Sequence, residues 1–281
     1  MMHRRAVLAG AAALAALPRS SVFGQAASQL TFKGSREQGS LIVCQTVPAA
    51  KSATIDGEAV QTSPAGLFVF GIAYDRTTPI HIEAHCGQDS IVQQDVLPIV
   101  RQYEIQRING LPQKFVTPSP EDLERIKREN ASIYDARKRD TDGIGFALPF
   151  DWPFPGILSG VYGSQRIDNG TPMAPHLGVD IAAPAGTPIH APADAVVSIS
   201  DDYFVDGGFT LLDHGHGVST CYLHQSKRMA KAGDKVARGD VIGLVGQTGR
   251  ATGPHSHWGL NWFQLKLDPS RSTVTPEPPK A

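Results

Sequence analysis

The spacing of apolar positions changes several times along the chain. Residues 1–26 carry one short apolar run, Ala6–Leu17, behind a basic start, Met-Met-His-Arg-Arg. That run is too short to span a bilayer, which takes about 20 residues. The order of basic start, apolar core, Pro18 and the small residues around Ala26 reads as a secretory signal over 1–26. Arg4-Arg5 fits the twin-arginine export route and the general route alike. Residues 27–116 alternate apolar and polar in short stretches (Ser40–Val47, Leu67–Ala73, Ile80–Ala84, Ile91–Leu97) separated by turn residues. Period two of this kind predicts half-buried strands, here a small all-β, sandwich-like domain. Over 117–145 the period becomes three and four, at Leu123, Ile126, Asn130, Ile133 and Arg137. Ser119 can cap, Pro120 suits the first helical position, and Glu121 and Asp122 favour the positive end, so one amphipathic linker helix is predicted. Strand patterns return over 146–269, at Ile189–Ser198, Phe209–Asp213, Val218–Leu223, Asp240–Gly246 and His255–Phe263. Residues 270–281 hold three prolines and no apolar cluster, which predicts a disordered tail. The expected fold is mostly β: an antiparallel C-terminal sheet domain preceded by the sandwich and the helix.

Composition narrows the function. Lys+Arg 26 against Asp+Glu 27 gives a formal charge of −1, which excludes broad electrostatic binding to nucleic acid. No later apolar run is long enough to span a membrane, so no transmembrane segment is expected once the signal is removed. Of three cysteines, Cys44 and Cys86 lie in strand-like stretches, and the sequence leaves open whether export lets them bridge. Cys221 reads as a small buried hydrophobe. Seven of the ten histidines fall between 176 and 257, which invites a search for a metal site.

Two motifs carry that search, His176-Leu177-Gly178-Val179-Asp180 and His255-Ser256-His257. A catalytic zinc site takes three imidazole or carboxylate ligands and keeps one position open. His176, Asp180 and one histidine of the second motif supply such a set. Gly178 is expected to let the chain turn between the first two ligands. Alternate strand residues share a face, so His255 and His257 look one way and Ser256 the other. The same parity puts Tyr222 and His224 on the site face and Cys221 and Leu223 on the core face. His214 and His216, in Asp213-His214-Gly215-His216-Gly217, read as surface histidines of a hairpin turn. His81 and His85 share a strand face with no third ligand in reach. Arg166 reads equally as a contact to an acidic substrate and as a surface salt bridge, and Tyr222 is a second candidate for substrate contact.

The order H-x-G-x-D, Y-x-H, G-P-H-x-H resembles the LytM/lysostaphin-type zinc metallopeptidases, which cleave peptide bonds in bacterial peptidoglycan. The resemblance runs from Ser159-Gly160-Val161-Tyr162-Gly163 through His176–Asp180, Ile181–Pro188, Tyr222-Leu223-His224, Gly233–Val236 and Ile242–Gly246 to Thr248–His257, less than half the chain. It implies that His176, Asp180 and His257 hold one zinc ion per chain. It implies that His224 and His255 are the catalytic histidines, His255 orienting or deprotonating a metal-activated water and His224 stabilising the oxyanion, with the order of the two roles open. Departures are Ser256 where the family usually has Leu, and Trp258-Gly259 where Phe-Glu is common. With an export signal, the resemblance implies a periplasmic endopeptidase acting on peptidoglycan cross-links, with protein partners unspecified. The alternative is a non-catalytic cell-wall binding protein that activates other wall hydrolases, as in relatives that have lost zinc ligands.

Overall fold

The computed structural model describes residues 28–280 apart from 88–89, 111 and 276, so the signal assigned to 1–26 lies outside the described residues. The molecule is mostly β, as expected. The first part is two sheets face to face. One orders Gln29–Lys33, Leu41–Val47 and Leu67–Gly71, and the other orders Glu58–Val60, Ser52–Ile55, Ile80–His85 and Ile91–Val96. Their inner faces bury Ile42, Phe68, Phe70, Ile72, Ile80 and Ile82 in one cluster. Cys44 and Cys86 are buried there as free thiols, not bridged. His81 and His85 are exposed and engage the carboxylates of Asp95 and Glu83.

The second part is built on an eight-stranded antiparallel sheet. Its order is Lys235–Val236, Ala195–Tyr203, Gly207–Gly215, Val218–Gln225, His255–Trp262, Val179–Ala182 and Ile157–Gly160, with Leu265–Leu267 also on His255–Trp262. Beneath it a core of Ile181, Ile189, Leu212, Tyr222, Trp258 and Leu260 also takes in Leu41, Val43 and Val69 of the sandwich. The two parts therefore share apolar contacts, and the buried Asp268 adds an ion pair to Arg101 at 2.8 Å.

The helix forms where the spacing places it, Pro120–Ala136, with Ser119 Oγ accepting from the Asp122 amide. Other expectations need correction. Ile189–Ser198 is two strands, Pro188–His190 and Ala195–Tyr203, because Pro192 cannot supply a ladder donor. Ile105–Ile108, read with the sandwich, pairs in parallel with Gln165–Asp168 beside the site. The segment read as a disordered tail makes backbone contacts where it is described: the Phe150 amide donates to Ser272 O, Trp152 Nε1 to Thr275 O and the Gly156 amide to Pro279 O.

His214 and His216 do lie at the expected hairpin, but both are buried, at 1% and 3% exposure. His214 Nδ1 donates to Asp194 O and its Nε2 pairs with Thr220 Oγ1. Burial pushes its pKa down to about 4. Between the ordinary value of about 6.5 and 4, the unfolded chain binds a proton that the folded chain refuses. Stability present above that window is therefore lost as pH falls through it, by on the order of 3 kcal/mol for this group. Urea denaturation from pH 7 to 4 should show this decline, with a shallower slope in His214→Gln; equal slopes would place the dependence elsewhere.

Candidate metal and catalytic site

Register brings the motifs together. Strand Val179–Ala182 runs antiparallel to His255–Trp262 with Asp180 opposite His257 and Ala182 opposite His255. Directly opposed residues share a face, so Asp180, His255 and His257 emerge on one side. Ser256 lies on the other side, fully buried, its hydroxyl donating to Leu223 O. His176 precedes the strand and is fixed by two backbone bonds, Gly163 N to His176 O at 2.7 Å and His176 N to Ser164 O at 2.8 Å.

Three side-chain atoms converge there. His176 Nε2 is 3.1 Å and His257 Nδ1 2.9 Å from Asp180 Oδ1, and the two nitrogens are 2.8 Å apart. His176 and Asp180 are buried, at 5% and 7% exposure. Ligands about 2.0–2.2 Å from a tetrahedral zinc stand roughly 3.3 Å apart, close to these edges. The second atom of two of these groups is already engaged. His176 Nδ1 donates to Val161 O at 3.2 Å, which leaves Nε2 as a lone pair. Asp180 Oδ2 accepts from Arg166 Nη2, which leaves Oδ1 for the cluster. Such outer partners fix tautomer and orientation in metal sites. Burial opposes the charge on Asp180, but hydrogen bonds and charge from His176 and His257 outweigh it and hold its carboxyl well below the usual range. Burial likewise pushes His257 down to about 4, keeping it neutral. Two neutral imidazoles and one carboxylate are a donor set that fits a divalent metal.

Gly178 serves clearance instead of the expected turn. A Cβ there would stand 2.4 Å from His257 Cε1 and Nε2, and one at Gly160 would stand 2.5 Å from Asp180 Oδ2. The two ligand side chains occupy the volume those glycines leave.

A second pair of histidines faces the first. His224 and His255 pack as tilted rings with centroids 4.7 Å apart, and both line a cleft of about 280 Å³ with Asp180 and Arg166. His224 Nδ1 donates to Thr248 O at 2.8 Å and His255 Nδ1 to Gly253 O at 2.9 Å. A carbonyl only accepts, so each neutral ring carries its proton on Nδ1 and offers a bare Nε2. Burial, with His255 and His257 nearby, pushes His224 down to about 3.

Parity fails at one place here. Tyr222 pairs with Trp258 and is fully buried, its hydroxyl bonded to Thr220 Oγ1, so the candidate substrate contact at Tyr222 is overturned. Leu223, expected in the core, lines the cleft instead. The ladder shifts between Gly208 and Thr210, and His224 has φ 65°, a bulge that turns its ring back to the site face. Arg166 does reach the site, through Asp180. Sequence reasoning missed the carbonyls of Val161, Thr248 and Gly253, which carry no side-chain signal.

Peptidase family M23 matches residues 174–269, a stretch containing all five of these side chains. A solved candidate peptidase M23 from Pseudomonas aeruginosa is 32% identical, covering 84% of this chain and 94% of that one with a TM-score of 0.64. Peptidoglycan DD-endopeptidase ShyA of Vibrio cholerae serotype O1 is 47% identical over 88 residues, 31% of this chain and 20% of the relative. DD-carboxypeptidase/endopeptidase Mpg of Neisseria meningitidis serogroup B is 45% identical over 103 residues, 36% of this chain and 24% of the relative. The matched segment thus spans about a fifth to a quarter of these curated relatives. No helix among the described residues is long and apolar enough to cross a membrane.

Proposed function

This chain belongs to peptidase family M23, and from that premise we propose that it is a zinc-dependent endopeptidase that hydrolyses peptide cross-links of bacterial peptidoglycan outside the cytoplasm. The observation that carries the reading is the convergence of His176 Nε2, Asp180 Oδ1 and His257 Nδ1 beside two further histidines with bare Nε2 atoms. The intact set supports an enzyme over a binding protein that has lost its ligands. ShyA, named a peptidoglycan DD-endopeptidase, and Mpg, named a DD-carboxypeptidase/endopeptidase, support the substrate class. Zinc is the fitting ion because it takes imidazole and carboxylate together and, in hydrolytic sites, three protein ligands.

When bound, zinc supplies a Lewis acid that polarises the scissile carbonyl and acidifies water beside it. The chain's own residues do the rest. His255 Nε2 accepts the proton of the attacking water, a role for which imidazole as a side-chain type is suited. His224, held neutral by burial, accepts a hydrogen bond at Nε2 and so orients that water. This departs from the oxyanion role implied by the resemblance, since a bare Nε2 has no proton to donate. The protonated His255 then returns its proton to the leaving amine nitrogen. Digestion of purified peptidoglycan, followed by mass analysis of the products, tests the reading. New free amines and carboxylates at cross-links, abolished by a chelator and restored by zinc, are expected; intact cross-links under zinc would overturn it.

Arg166 is proposed to position Asp180. Its loss frees Oδ2 and lets the carboxylate rotate. Arg166→Ala should weaken metal binding roughly 10–100-fold in chelator competition. An unchanged affinity would leave Arg166 as a surface ion pair.

A further inference from the structure

Beyond His257, away from the catalytic pair, a polar cleft of about 320 Å³ opens between helix Pro120–Ala136 and the sheet. It is continuous with the site: the neighbouring cleft, which holds His176, His224 and Arg166, shares His257, Leu223, Asp206 and Lys266 with it. Gly259 lines the cleft under the helix, two residues along the strand from His257. A Cβ there would stand 2.7 Å from Cys221 Sγ and 3.7 Å from His257 Nε2, so a side chain would crowd the lining next to His257. An extended peptide lying past His257 on this side would enter it.

The lining holds more donors than the protein satisfies. Asn261 is 1% exposed and its Nδ2 has no hydrogen-bond partner. Arg137, at the C-cap of the helix, has a buried Nε without a partner, and among the described residues its guanidinium makes one hydrogen bond, from Nη2 to Cys221 Sγ at 3.9 Å. Neither Arg137 nor Lys266 forms a side-chain ion pair within 4 Å among the described residues. Leaving a buried donor unmade is costly, and such groups call for an explanation. One carboxylate, Asp206, stands among these cations without pairing with any of them. Two cations and an amide donor against one acid leave the cleft short of one anion, and an arginine fork suits a planar carboxylate.

We propose that this cleft is a substrate subsite for a free carboxylate on the peptide flanking the scissile bond, gripped by Arg137, Lys266 and Asn261, with Asp206 accepting an N–H of the same residue. The proposal rests on the peptidase reading and adds a specificity: peptides with that carboxylate free are preferred over peptides with it amidated. It also gives the linker helix a role as a wall of the active site.

Calorimetry on the full, zinc-loaded chain tests it with two synthetic stem peptides that differ only in carboxylate or carboxamide. The parent protein should bind the carboxylate form about 10–100-fold more tightly. The double variant R137Q/K266Q, altered at a helix end and an exposed strand position, should lose that preference while binding the carboxamide form as the parent does. Equal binding of both peptides by the parent, or an equal loss for both peptides in the variant, would overturn the subsite. Preferential binding without cleavage of the cross-linked form would keep the subsite and sink the peptidase reading.

Discussion

Asp180→Ala protein should emerge from purification without its metal and turn over cross-linked peptide at least about 10³-fold more slowly than the parent. Asp180 supplies the one anionic donor of the cluster, and its Oδ1 contacts both histidine nitrogens. Without it a divalent cation meets two neutral imidazoles and the nearby Arg166 guanidinium, whose partner Oδ2 has gone. Removing one member of a buried charge pair strands the other, so the variant loses attraction for the ion and gains repulsion. Asp180→Asn, which keeps the shape without the charge, should recover only part of the affinity. Elemental analysis with circular dichroism separates this outcome from unfolding. A folded Asp180→Ala protein with a full metal complement would contradict the ligand assignment.

His255→Ala should show the opposite division. Among the described residues the ring forms no hydrogen bond or ring pair with the ligand triangle; its Nδ1 donates to Gly253 O and it lines the cleft. Metal content should stay near one per chain, while turnover falls roughly 10²–10⁴-fold, the usual worth of a positioned general base. His224→Ala should fall in the same range with the metal retained. If His255→Ala works at near-parental rate with zinc bound, proton transfer does not pass through that ring.

The site was legible where chemistry is written in side chains. The spacing of His176, Asp180, His255 and His257 on a strand and its approach marked the cluster, and register then placed Asp180 opposite His257. It was illegible where backbone decides. Parity counts hold only along a regular strand, and the bulge at Leu223-His224 broke the count, taking Tyr222 into the core and Leu223 to the cleft. Gly178 looked like a turn residue because glycine's usual signal is conformational; here its use is the space filled by the His257 ring. The parallel pairing of Ile105–Ile108 with Gln165–Asp168 spans a long stretch of chain, and local patterning has nothing to say about such partners. The helix, by contrast, was readable to its cap, since Ser119, Pro120 and the three-four spacing are local signals. That it also walls a polar cleft beside the site follows from its docking on the sheet, not from its own sequence.

Anomalous diffraction from crystals of the active protein, recorded on both sides of the zinc absorption edge, tests the central claim most directly. One zinc peak per chain within bonding distance of His176 Nε2, Asp180 Oδ1 and His257 Nδ1 is the expected result. An active crystal whose peak lies on other side chains, or that shows none, would contradict it.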